Sequence, residues 1–229
     1  MLDRGRISSV QLLLVLFMAD LATSFLFIPS IIAEGAGPDG WLSLLVPATV
    51  YALAVVAVCV ALAGRFPRQV FTEYLPHVLG RIPGKLLAAA FTLVLIHLTS
   101  VVISESSTFI HTAFLRETPP LVLDVLMMAV VAYGVYLGIE VITRQNELLF
   151  PIFIFSLTLL IALAVKDLSL DHLRPVLGGG IVPVLKGAMV PAVWRGEVFF
   201  ILMLYPYLNQ KQEALQAGAA MVLLAAVFG

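Results

Sequence analysis

Charge is what this sequence has least of. Charged side chains make up 12% of its 229 residues, about half the share found in a soluble domain. The charges nearly cancel, to a net −1, so nothing marks the chain as a nucleic-acid binder. It has one cysteine, Cys59, set in an apolar run, which excludes a disulfide framework and a thiolate metal site. No His-Glu-x-x-His, Gly-x-Ser-Gly or Gly-x-Gly-Asp occurs, so an intramembrane protease has no residues to work with. Gly178-Gly179-Gly180 is not followed by Lys-Ser/Thr at phosphate-loop spacing. The last apolar stretch, from Glu213 on, has no lysine for a retinal Schiff base. The reading is of a non-enzyme without cofactor, metal or nucleic-acid partner.

Apolar length is what the chain has in abundance. Hydrophobic residues reach 61%, and they fall in runs long enough to cross a bilayer, which needs about 20 residues each. The pattern predicts an all-α, polytopic membrane protein forming a single transmembrane domain over residues 1–229. Its helices are expected near 9–32, 41–63, 83–114, 119–137, 139–165, 181–208 and 212–229. Arg4 and Arg6 before an apolar run suggest a signal peptide, but Asp20-Leu21-Ala22-Thr23-Ser24 offers no cleavage site, so helix 1 is read as retained. Glu34–Gly40 is a turn, rich in glycine and carrying Pro38. Val70, Phe71, Tyr74, Leu75, Val78 and Leu79 share one face of a short helix lying in the membrane surface and bent at Pro76. Lys166–Gly180 is an extramembrane loop.

Lys and Arg set the orientation. With the N-terminus in the cytoplasm, eight basic residues lie at inner ends: Arg4, Arg6, Arg65, Arg68, Arg81, Lys85, Arg144 and Lys211. Four (Arg116, Lys166, Arg174, Lys186) lie at outer ends. That bias favours a cytoplasmic N-terminus.

The remaining cation, Arg195, is the informative one. It lies 14 residues into the run that starts at Ile181, about 21 Å along a helix and well inside hydrocarbon. A charge there costs roughly 2.5–3.5 kcal/mol, so it faces protein or water and has a role. Glu197 lies two residues on, nearly opposite on an unbroken helix. Pro191 and Gly196 are expected to open the helix so that both charges face one cavity. Helix 1 has its own mid-depth interruption at Asp20, Thr23 and Ser24. Paired interruptions five helices apart are the mark of an inverted five-helix repeat with a binding site at the breaks in helices 1 and 6. Such a fold needs ten helices, so the chain is expected to be truncated in helix 7, with helices 8–10 missing. Candidate substrate-binding residues are Ala22, Thr23, Ser24, Glu105, Trp194, Arg195, Gly196 and Glu197, and candidate proton-coupling residues are Glu105 and Asp20. The bland alternatives are that Glu197 only caps a half-helix, that Arg195 only pairs with Glu197, and that the hydroxyls around Glu105 only pack helices. Asp124, His77 and His111 read as interfacial or surface groups.

Arg6-Ile7-Ser8-Ser9-Val10-Gln11-Leu12 with Ser24-Phe25-Leu26-Phe27-Ile28-Pro29-Ser30 resembles the start of the spore germination permeases. Gly196-Glu197 before an apolar run ending in Tyr205-Pro206-Tyr207-Leu208 resembles their helix 6 signature. These are the B subunits of nutrient germinant receptors in endospore-forming bacteria, related to the amino acid–polyamine–organocation transporters. The chain departs from the wider group in having no glycine at Ala22–Ser24 and in carrying Arg195 before Gly196. The resemblance implies a ten-helix fold in the bacterial cell membrane (the spore inner membrane), binding of a small nutrient such as an amino acid, and partnership with the receptor A and C subunits. A proton-coupled amino acid transporter would need the same cavity and is the alternative.

Overall fold

A computed structural model describes residues 5–24, 28–164 and 175–228. Arg4, the Phe25–Phe27 part of helix 1, the end of helix 5 at Val165 and the loop stretch from Lys166 to Arg174 lie outside the described residues. The described chain is helical, with one isolated β-bridge. Five helical runs are long and apolar enough to cross a membrane: Ile28–Arg65, Arg81–Ala113, Pro120–Leu137, Ile139–Ala164 and Ile181–Tyr207. A shorter apolar helix covers Ser9–Leu21. Large apolar side chains are exposed along the central helices, among them Leu93, Val125, Val130 and Phe155. That inverts the arrangement of a soluble protein, and lipid is the solvent that makes it favourable. The chain is an integral membrane protein.

The helices fall into two compact units, residues 68–142 and residues 6–67 with 143–229. The first contains α5 (Phe71–Leu79), α6 (Arg81–Ala113) and α7 (Pro120–Leu137). Glu73 starts α5 by accepting the Val70 N–H at 3.0 Å, satisfying a donor that the helix itself leaves free. Tyr74 and Leu75 are buried, and Phe71 meets Phe91 edge-on at 5.2 Å. Gly84 lets the backbone of Leu75 and Pro76 lie directly on α6, since a Cβ there would collide with both. Farther along, Ser107 of α6 donates to Asp124 Oδ1 of α7 at 2.5 Å. Asp124 therefore ties two helices together, and is more than an interfacial carboxylate. After α7 the chain turns through one residue, Gly138, at φ 91°, a conformation that a side chain resists. Then α8 (Ile139–Ala164) begins.

The second unit is built on α1 (Ser9–Ser24). Ser8 and Gln11 cap it reciprocally: Gln11 N–H donates to Ser8 Oγ at 3.1 Å, and Ser8 N–H to Gln11 Oε1 at 3.0 Å. The expected turn at Glu34–Gly40 is no extended loop. α2 (Ile28–Ala36) passes through a 3-10 turn at Gly37–Asp39 into α3 (Gly40–Ser43), a π turn at Leu44–Ala48, and α4 (Thr49–Arg65). Gly37 at φ 56° supplies the bend. The helix 6 region contains α9 (Ile181–Gly187), α10 (Met189–Arg195), a 3-10 turn at Gly196–Phe200, α11 (Ile201–Leu204) and a last 3-10 turn to Tyr207. α12 (Ala214–Phe228) follows and packs on α1 and α4. Gly218 lets it approach closely, since a Cβ there would sit 2.7 Å from Val56 and 2.9 Å from Ile201. Close approach through small residues is how helices gain contact energy in lipid.

Candidate functional site

The mid-membrane charges of the second unit meet where α1, α4, α10 and α12 come together. Arg195 is the last residue of α10 and is only 3% exposed. Its guanidinium donates to Thr49 Oγ1 at 2.7 Å, to the Ala225 carbonyl at 2.8 Å and to the Leu44 carbonyl at 3.4 Å. The Thr49 hydroxyl accepts from Arg195 and donates onward to the Leu44 carbonyl at 3.0 Å. The cause lies in helix 2. Pro47 has no N–H to give the preceding turn, the helix widens into a π turn over Leu44–Ala48, and the Leu44 carbonyl is left facing the side chains of Thr49 and Arg195. π turns inside α-helices are often found at functional sites. Sequence reading missed Thr49 and this turn. The signal was Pro47 inside an apolar run, with a hydroxyl two residues later.

Asp20, on α1, is 2% exposed, and its Oδ1 has no hydrogen-bond partner. Arg195 is the opposite charge that acts on it, without a direct hydrogen bond between them. Glu197 is half-buried in the 3-10 turn and feels the like charge of Asp20. The arrangement is thus two carboxylates and one guanidinium, with Asp20 in electrostatic reach of the other two and the guanidinium committed to helices 2 and 7. The bland alternative, an Arg195–Glu197 pair, is not seen among the described residues; the donors of Arg195 go to Thr49, Leu44 and Ala225.

The backbone at Gly196 also differs from expectation. It stays right-handed, at φ −57° and ψ −17°, and the helix tightens into 3-10 geometry after it. Three hydrogen-bond acceptors converge on the Gly196 N–H, so the chain there is over-wound and still bonded. Trp194 packs against the buried face of α2 formed by Ile28, Ile32 and Ala36. Of Ala22, Thr23 and Ser24 only the backbone is described, and it remains α-helical to Ser24. Glu105 lies half-buried on α6, in the other unit.

Four further hydrogen bonds, two toward each end, brace the site. Toward one end, Ser43 Oγ donates to the Val184 carbonyl at 2.8 Å, and Asp39 Oδ1 accepts the Leu177 N–H at 2.7 Å. Toward the other, Ile7 N–H donates to the Tyr207 carbonyl and Asn209 N–H to the Ile7 carbonyl, both at 3.0 Å. The two ends of helix 6 are thus held by the turn after helix 1 and by the residues before it.

A family model described as spore germination protein matches residues 6–228. Spore germination protein YndE of Bacillus subtilis (strain 168) is 27% identical over 218 residues, covering 93% of this chain and 59% of that protein. Spore germination protein KB of the same organism is 27% identical over 221 residues, 95% of this chain and 58% of its own. Spore germination protein XB of Bacillus anthracis is 29% identical over 222 residues, 95% and 61%. The chain spans about three fifths of the length of these relatives. No solved structure matches it.

Proposed function

The chain belongs to the spore germination permease family, and on that premise we propose that it is the membrane subunit of a nutrient germinant receptor. It binds a small nutrient, an amino acid, between helices 1 and 6, and passes the change to receptor A and C subunits at the spore inner membrane. The observation that carries this is the buried junction of Asp20, Arg195 and Thr49. Ionisable groups at mid-membrane are expensive and are kept where a solute or proton is handled. Asp20 supplies an unsatisfied acceptor for an ammonium group or a proton. Glu197, with the turn at Gly196, lines the other side, and Ala22, Thr23 and Ser24 contribute from the end of α1. Arg195 enters as the positioning cation: with its donors engaged, it holds helices 2, 6 and 7 around the carboxylates. Trp194, packed against α2, is assigned to the substrate-binding set, and Glu105 is a second proton-coupling residue.

Binding of radiolabelled amino acids to the purified chain in nanodiscs tests this reading. Saturable binding is expected, reduced at least tenfold by Asp20→Asn and by Glu197→Gln. Binding that ignores both substitutions, or no binding across the set of amino acids, removes the site. The alternative, proton-coupled transport, uses the same residues. It is separated by uptake into sealed vesicles under a pH gradient, which a receptor that only senses does not show.

A further inference from the structure

Residues 68–85 carry an exposed surface that the nutrient site does not use. Three cations lie on it, Arg68, Arg81 and Lys85, all exposed and without an ion pair or hydrogen bond among the described residues. The only acid in the stretch is Glu73, and its carboxylate is held by the Val70 N–H that starts α5. Interleaved with the cations are apolar side chains turned outward: Val78 and Leu79 at the end of α5, and Ile82 and Leu86 on the first turns of α6. Ile82 is 73% exposed.

The surface is rigidly mounted. Phe71 meets Phe91 across α5 and α6, and Gly84 allows the two backbones to touch. The chain makes the bend at Gly80, φ 90°, so α5 lies across the start of the membrane-spanning α6.

We propose that this face binds the headgroups of anionic phospholipids. A cation at the membrane surface gains about 1 kcal/mol from anionic lipid. Long basic side chains reach headgroup depth while their stems lie along apolar surface. Here Arg81 and Lys85 alternate with the exposed Ile82 and Leu86 over the first turns of α6, directly after the exposed Val78 and Leu79. An acyl chain against Val78, Leu79 and Ile82 places its phosphate beside Arg81 and Lys85, with Arg68 adding charge. An acidic polypeptide would satisfy the cations but would leave the aliphatics in lipid without using them. A lipid uses both.

The test is electron spin resonance of spin-labelled lipids around the reconstituted chain, comparing phosphatidylglycerol with phosphatidylcholine in the motionally restricted shell. The wild type is expected to prefer phosphatidylglycerol about fivefold. R68Q/R81Q/K85Q is expected to remove the preference, and R68K/R81K/K85R to keep it. Arg116→Gln, at the far end of α6, is expected to leave it unchanged. If the triple glutamine variant fails to insert, Lys85→Gln alone still has to lower the preference. Equal restriction of both lipids by the wild type overturns the proposal, as does a preference that survives the glutamine variant. So does capture of polyglutamate by wild-type chain that does not discriminate the lipids.

Discussion

Arg195 ties α10 to helix 2 and to α12, and its surroundings set what substitution should do. Removing it leaves the Leu44 and Ala225 carbonyls short of donors and Asp20 without its opposite charge. Breaking a buried charge pair from one side typically costs about 3–5 kcal/mol, so Arg195→Met is expected to lower the thermal unfolding midpoint in detergent strongly. Thr49→Val, which removes one hydrogen bond to a charged group, is expected to cost about 1.5–3 kcal/mol. If Asp20 and Arg195 are coupled, Asp20→Asn with Arg195→Met should destabilise less than the two single changes added together. Simple additivity in that cycle would mean that the two charges are independent. Two glycines sharpen the point. A Cβ at Gly196 finds nothing nearer than Tyr51 Oη at 4.0 Å, and φ there suits any residue. Gly196→Ala is therefore expected to change stability by no more than roughly 1 kcal/mol. Gly218→Ala, whose Cβ would meet Val56 at 2.7 Å, is expected to cost about 1–3 kcal/mol by overpacking. Equal behaviour of the two variants in thermal unfolding would overturn this reading of the helix contacts.

At the scale of elements, the loop entering helix 6 is held in an unfavourable conformation by a buried carboxylate. Leu177 is the one described non-glycine residue with positive φ, 56°, and its N–H is the donor that Asp39 accepts. A side chain in that region costs roughly 1–2 kcal/mol, so the Asp39 contact and the packing of α2 on α9 must outweigh it. Leu177→Gly is expected to be neutral or stabilising, whereas Asp39→Ala should free the loop. Limited proteolysis near 175–180 reads both: faster cleavage in Asp39→Ala and none beyond wild type in Leu177→Gly. The opposite order would mean that the loop is held by something else. This contact also shows what the sequence does and does not disclose. Helix existence is legible because hydrocarbon thickness demands long apolar runs, and Gly138 and Gly80 punctuate them. Arg195 is legible as buried because its depth follows from counting. Its partners are not, since Thr49 lies 146 residues earlier and only the folded chain brings the π turn of helix 2 to α10. Asp39 looks like an ordinary turn residue for the same reason. Gly196 misleads because its composition suggests an open turn, whereas a glycine also suits a tightened 3-10 turn at which Tyr51 comes near.

At the scale of the whole molecule, the basic residues argue for one orientation in the membrane. In the helix order expected from the sequence, eight of the thirteen Lys and Arg residues fall at one set of helix ends, four at the other, and Arg195 in between. The positive-inside tendency acts on residues close to the membrane ends in short loops, and Arg65, Arg68, Arg81 and Lys85 form the densest such group. A cytoplasmic location for this group also fixes the N-terminus on the same side if helices 1 and 2 both cross. Cys59 is the only thiol and is buried, so in a Cys59→Ala background a single new cysteine reports without interference. With Arg68→Cys, a membrane-impermeant maleimide is expected to label the protein only after the cells are opened. With Glu117→Cys, between α6 and α7, it is expected to label intact cells. The pair matters more than either alone, because one crossing by α6 must place the two positions on opposite faces. Labelling of the Arg68→Cys variant from outside, together with protection of the Glu117→Cys variant, would invert the orientation. Labelling of both variants from outside would deny that α6 crosses at all, and the lipid-facing reading of its exposed leucines and valines would fall with it.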